Sequence, residues 1–243
     1  MKTNITKNPP PEGSLTRRRE FLKRGVILGA VTSVAGFSFI TSCKNESDEG
    51  ISPAEDLMLE HGVLNRVMLI YDSCRLHLIN GEQFPHDELV NSAGIIKTFI
   101  ENYHEKLEEE FLFPLFVKAN ELTDLVGVLT IQHQIGRKIT EQVIQLSETN
   151  STFSTDDSQR LMKLLNSFNS MYRPHEARED TILFPALRNI ISENEYFALG
   201  EDFEDREHEL FGADGFEAIV DKVAAIEKEL GIYDLSRFTP DLI

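Results

Sequence analysis

Two short stretches of this chain pair a histidine with a carboxylate one helical turn away. His104-Glu105-Lys106-Leu107-Glu108 opens the run HEKLEEEFLFP, which ends at Pro114. The run returns without a gap 71 positions later as HEAREDTILFP, His175 to Pro185. His104 with Glu108, and His175 with Glu179, are four residues apart, so each pair projects from one face of a helix. Imidazole and carboxylate presented together are metal ligands, acid–base partners or a solvated surface pair. The position of that face relative to the core decides between them.

The flanking periodicity turns both faces inward. Ile96, Ile100, Tyr103, His104, Leu107, Glu108 and Phe111 form one apolar stripe over a helix expected at about 87 to 118. Leu161, Leu165, Phe168, Tyr172, His175, Glu179 and Ile182 form another, on a helix that starts at Thr155-Asp156-Asp157 and should bend at Pro174. The repeat also reaches the helix preceding each of these. Leu59-Glu60-His61-x-Val63 is echoed by Ile131-Gln132-His133-x-Ile135. His61 lies on the stripe of Leu57, Leu64, Met68 and Tyr71, in a helix begun by Ser52-Pro53-Ala54-Glu55 and ended by Asn80-Gly81. His133 lies with Leu125, Leu129, Gly136 and Val143 on a helix from about 124 to 147. Each half is thus a helical hairpin with His on its first helix and His-x-x-x-Glu on its second. Two such hairpins related by a pseudo-two-fold axis predict an all-α, antiparallel up-down four-helix bundle over residues 52–190.

Six polar side chains on four inner faces are costly unless satisfied. A single histidine on an apolar face is most often a core group with a hydrogen-bond partner, and a metal-free polar network is the bland reading of the set. Six groups placed by a repeat are hard to satisfy among themselves, and metal coordination removes the cost. The candidate ligands are His61, His104, Glu108, His133, His175 and Glu179. Without a thiolate among them, soft-metal and iron–sulfur sites are disfavoured. Two His per ion with carboxylates able to bridge suits two iron ions, two manganese ions or a mixed iron–manganese pair. Zinc would leave the bridges without an evident purpose.

These motifs, with the Leu-Phe-Pro tails after both acidic positions, resemble the hemerythrin-like, or HHE cation-binding, domain. The resemblance implies a non-haem di-iron centre with Glu108 and Glu179 as bridging carboxylates and His61, His104, His133 and His175 as terminal ligands. It also shows a departure. Oxygen-carrying hemerythrins have a fifth His one turn after the third-helix ligand, where this chain has Arg137. Their second bridge is an Asp five residues after the last His, an offset filled here by Asp180, whereas the repeat matches Glu179 to Glu108. The four-His, two-Glu set is similar to the branch associated with nitric oxide, peroxide and iron-centre repair. The expected function is binding of, or reaction with, dioxygen, peroxide or nitric oxide; a non-catalytic binding or sensing module acting through a protein partner is the alternative.

Other histidines and acids carry weaker expectations. His77 and His86 flank the first hairpin turn as possible further ligands, and His208 reads as a surface residue. Glu105 and Glu176 are either partners of the ligands or solvated charges, while Glu109, Glu110 and Asp180 read as solvated. Cys74, in a helical pattern, reads as a small core residue.

The rest of the chain bounds the setting. The first 43 residues hold seven of the 24 Lys/Arg and two of the 41 Asp/Glu, leaving a strongly acidic remainder. Such a body repels phosphate backbones and anionic lipid, so nucleic-acid binding is not expected. Arg18-Arg19-x-Phe21-Leu22-Lys23 before the weakly apolar run Gly25–Ser42 resembles a twin-arginine export signal, and Ile40-Thr41-Ser42-Cys43 resembles a lipobox. Residues 1–43 are therefore expected to direct export, to the periplasm or a lipid-anchored state, with 44–51 as a tether. Membrane contact is expected only through that signal or anchor. Residues 191–243 read as a helical extension, with a start at Ser192-Glu193-Asn194-Glu195, a break at Gly212–Gly215 and a last helix from Phe216 to Leu230. With no nicotinamide or flavin fingerprint, any electron donor is expected to be a separate protein.

Overall fold

The helix starts read at Ser52 and Thr155 build nearly as the local chemistry dictates. The computed structural model describes residues 52–82, 85–149, 153–212 and 215–240. The expected export signal, Cys43 and the tether lie outside them. Ser52 caps the first helix, α1 (Pro53–Asn80), with a reciprocal capping box: its hydroxyl accepts from the Glu55 N–H, and the Glu55 carboxylate accepts from the Ser52 N–H. Gly81 closes α1 in the left-handed region at φ 67°, which an L side chain rarely adopts. The fourth start is capped by Ser154 rather than Thr155: its hydroxyl accepts from the Asp157 N–H.

The second long stretch is helical from α2 (His86–Ile95) through α3 (Glu105–Leu107) to α4 (Phe113–Ala119), but it is not one α-helix. Wider π turns intervene at Ile96–His104 and Glu108–Leu112. The third stretch is α5 (Thr123–Thr149). The fourth is α6 (Thr155–Arg178), continued by a π turn at Glu179–Leu183 and by α7 (Phe184–Ile190). α6 runs through Pro174 without interruption.

The π turns after Glu108 and Glu179 have a common physical origin. Each precedes a Phe-Pro pair, Phe113-Pro114 and Phe184-Pro185. Proline has no N–H, and in an α-helix its ring meets the carbonyl four residues back, so the preceding turn opens. The Phe113 N–H then reaches the Glu108 carbonyl, and the Phe184 N–H that of Glu179. The wider turn moves the apolar register on by one residue. The stripe expected Phe111 and Ile182 inside; the structure instead buries Leu112 and Leu183, leaving Phe111 half-buried and Ile182 exposed.

The described residues are all-α, with no strand among them. α1 packs along α6, α6 along α5, and α5 against α2, enclosing Leu57, Leu64, Val67, Ile100, Leu129, Val143, Leu165 and Phe168. α8 (Glu193–Phe211) and α9 (Gly215–Glu229) lie against α1, and α9 also against α2. Phe203 meets Phe111 edge-on, and Phe211 lies against Phe99 and Tyr103. Arg66 on α1 makes a two-pronged bond with Glu227 on α9, 3.0 and 2.5 Å. Cys74 is fully buried in this core, and burial pushes its thiol up to about 12. No helix of the described residues is long and apolar enough to cross a membrane.

Candidate metal centre

All six sequence-predicted ligands converge at one place in the core. His61, His104, His133, His175, Glu108 and Glu179 are each at most 3% exposed. One ligand atom from each of Glu108, His133, His175 and Glu179 lies within 4.8 Å of the others, and the same holds for His61, His104 and Glu108. The two imidazoles of each hairpin pair with one another. The ring centroids are 4.8 Å apart for His61–His104 and 5.0 Å for His133–His175.

The carboxylates stand between the hairpins. Glu108 Oε2 is 3.8 Å from His104 Nε2 and 3.4 Å from His133 Nε2. Glu179 Oε2 is 3.4 Å from His61 Nε2 and 3.1 Å from His175 Nε2. Each oxygen therefore faces one imidazole from each half of the chain, the disposition of a bridging ligand. Both oxygens of Glu108, both of Glu179 and His61 Nε2 are buried and make no hydrogen bond. Leaving such atoms unsatisfied costs about 1–3 kcal/mol each, more where the group is charged. A metal pair among them would satisfy all five, so the residues fit the cation that their chemistry invites.

A second layer fixes the rings, and it follows the repeat. Carboxylate and carboxamide oxygens only accept, so each Nδ1–H donates and each Nε2 faces the cluster. His104 donates to Glu60 and His61 to Asp180, both at 2.7 Å. His133 donates to Glu109 at 3.2 Å and His175 to Gln132 Oε1 at 2.9 Å. Glu60 and Gln132 immediately precede the first-helix histidines; Glu109 and Asp180 immediately follow Glu108 and Glu179. Glu109 and Asp180 thus do not point to solvent as expected. The π turns re-aim the residue after each glutamate toward the opposite hairpin. Glu110 is exposed, as expected.

A third pair of contacts repeats the pattern. Glu105 and Glu176, next to the second-helix histidines, are buried rather than solvated. Asn65, four after His61, donates to Glu176 at 2.5 Å; Arg137, four after His133, pairs with Glu105 at 2.7 Å and with Glu109 at 2.7 Å. Arg137 thus turns its guanidinium onto the outer carboxylates and does not enter the cluster. Tyr172 donates to Glu105 at 2.7 Å, its hydroxyl seated over Gly136 where a Cβ would come within 2.0 Å.

The match to known proteins agrees with this geometry. The hemerythrin HHE cation-binding domain matches residues 52–187. The chain belongs to the hemerythrin HHE cation-binding domain family. Cation binding is the property that the family and the His/Glu clusters share. Uncharacterized proteins of Mycobacterium bovis and of two Mycobacterium tuberculosis strains are each 47% identical to it over 195 residues, covering 80% of this chain and 76% of theirs. No solved structure matches.

The electrostatics of this HHE domain are those of a site waiting for positive charge. Burial pushes the Glu108 carboxyl up to about 8, with Glu179 adding to the rise. Burial acts on Glu179 in the same direction, but His175 and His61 outweigh it and hold that carboxyl well below the usual range. Burial lowers His61, yet the bond to Asp180 and the nearby Glu179 carboxylate raise it well above its ordinary value. His133 likewise rises to about 10 against burial, through Glu105, Glu108 and Glu109. His104 is lowered, first by burial and then by His61. Without metal, protons distributed over these groups supply the charge balance, and a cation must displace them.

The remaining histidines stay outside. His77 faces Glu82 at 3.1 Å near the end of α1, His86 lies against the Phe153 ring at 4.2 Å, and His208 is half-buried near the end of α8. The sequence reading missed Glu60, Gln132 and Asn65. The signal was present: each stands at a fixed offset from a repeated histidine.

Proposed function

We propose that this chain is a di-iron protein of the hemerythrin-like family that binds or turns over dioxygen, peroxide or nitric oxide. The observation that carries it is the placement of Glu108 and Glu179, each between imidazoles of opposite hairpins with buried, unsatisfied oxygens. In this reading the helices form an antiparallel four-helix bundle. His61 and His104 would hold one ion and His133 and His175 the other, with Glu108 and Glu179 as the carboxylates that both ions could share. Two iron ions suit the all-nitrogen-and-oxygen set; manganese or a mixed pair would fit the same ligands. When bound, the pair supplies redox electrons and coordination positions that the six residues leave open.

The chain's own residues supply the rest. Burial excludes bulk water from the cluster, and the four Nδ1 acceptors hold the rings in one tautomer and orientation. With Arg137 where oxygen-carrying hemerythrins place a fifth histidine, one more coordination position is left to an external ligand. That favours reaction over reversible storage. Export through a folded-protein route, with iron loaded beforehand, and residence in the cell envelope complete the proposal; a separate protein would supply electrons.

Iron content and absorption of the purified chain test it. Two irons per chain with an oxo-bridge band are expected, and loss of both in Glu108→Ala. A chain that retains two irons after that substitution would refute the bridging role. Consumption of many equivalents of peroxide or nitric oxide per iron is expected; saturation after one equivalent would make it a binding or sensing module instead.

A further inference from the structure

The inner six residues are nearly symmetric, but the groups behind them are not. On the His61–His104 side both imidazoles donate to carboxylates, Asp180 and Glu60, at 2.7 Å. Glu60 also stands in a buried acidic group with Asp56 and Glu207, one oxygen of each within 4.8 Å of the others. On the His133–His175 side the bonds are longer. His175 donates to the neutral Gln132 amide at 2.9 Å, where the repeat has Glu60 in the other half. His133 donates to Glu109 at 3.2 Å, and that carboxylate is already engaged by Arg137 at 2.7 Å and Lys106 at 2.5 Å. Arg137 neutralises Glu105 as well.

A carboxylate behind an imidazole draws its Nδ1 proton and makes Nε2 a stronger donor toward a cation. An amide does so weakly, and a carboxylate shared with two cations has less charge to offer. We infer that the two metal positions of this centre are unequal. The His61–His104 position fills first and holds its ion more tightly; the His133–His175 position fills second and exchanges first. Gln132, acting through His175, is the positioning residue that sets the difference, with Arg137 and Lys106 acting through Glu109.

The inference rests on the two-metal reading, and a cobalt(II) titration of the chelator-stripped full chain, followed by calorimetry, separates the two. The expected result is two resolved steps whose affinities differ about 10- to 100-fold, the usual range for outer-layer partners of metal ligands. Gln132→Glu should tighten the second step and leave the first in place. Glu60→Gln should weaken the first step, narrowing the gap from the other side. Binding of a single ion would refute the two-metal reading and this inference with it. Two ions bound in equal steps, or a Gln132→Glu effect confined to the first step, would overturn the inequality alone.

Discussion

Gly136 offers a test of how tightly the outer layers are fitted. A Cβ at this position would lie 2.0 Å from Tyr172 Oη, 2.8 Å from Cζ and 2.9 Å from Cε2. The phenol cannot swing clear. Its residue is 1% exposed, its ring packs on Phe168 at 4.4 Å and against His175 at 5.3 Å, and its hydroxyl is bound to Glu105. Gly136→Ala therefore forces strain of about 1–3 kcal/mol. It also weakens a hydrogen bond to a charged group worth about 1.5–3 kcal/mol. Replacing glycine inside a helix returns about 1 kcal/mol. The net expectation is a loss of about 2–4 kcal/mol, which for a folded unit of this size lowers Tm by roughly 5–15 °C. Calorimetric melting of the metal-free chain measures it. Adding Tyr172→Phe to Gly136→Ala removes the closest atom and should recover part of the loss, so the two changes should be non-additive in a double-mutant cycle. A Gly136→Ala chain as stable as the parent would refute the close fit.

Burial pushes the Glu101 carboxyl up from 4.5 to about 7, against the pull of Thr140. An acid with a raised folded value favours folding while protonated, so its contribution is lost as pH rises from about 4.5 through 7. Glu101→Gln should thus stabilise the chain above pH 7 by up to about 3 kcal/mol and do little below pH 4.5, read from urea unfolding across pH; equal gains at both ends would refute it. Arg66→Ala leaves the mostly buried Glu227 carboxylate without its two-pronged partner. A cost of roughly 1–3 kcal/mol is expected, discounted because Arg66 is partly exposed, with faster amide exchange concentrated in α9. Asp180→Asn should lower metal affinity about 10- to 100-fold in a chelator competition, whereas Glu110→Gln, at an exposed position, should leave it unchanged.

Much of the centre was legible because the repeat and the 3.6-residue period both bear on it. The period placed His61, His104, His133, His175, Glu108 and Glu179 inside, and the repeat showed that they came in matched sets. The same period misplaced Phe111 and Ile182, because a Phe-Pro pair opens the turn before it and moves the register by one residue. That shift also hid Glu109 and Asp180, which a regular helix would aim outward. Glu60, Gln132, Asn65 and Arg137 were at repeated offsets in the sequence, but nothing local says which imidazole an acid one helix away will meet. The hydrogen bonds that settle it run between helices, and pairings of that kind depend on how the helices are packed rather than on any segment alone.

The placement of Glu108 and Glu179 between histidines of opposite hairpins has a kinetic consequence for a bound metal pair. Neither hairpin owns a complete site, so an occupied centre is a cross-link between the two halves of the chain. The last ion held, at the His61–His104 position, can leave freely only when the hairpins part, which also exposes the core around Tyr172, Phe168 and Leu129. Loss of that last ion to an external chelator should therefore become independent of chelator concentration once that concentration is high. The limiting rate would be the rate at which the halves separate, making metal retention a measure of how often this fold opens.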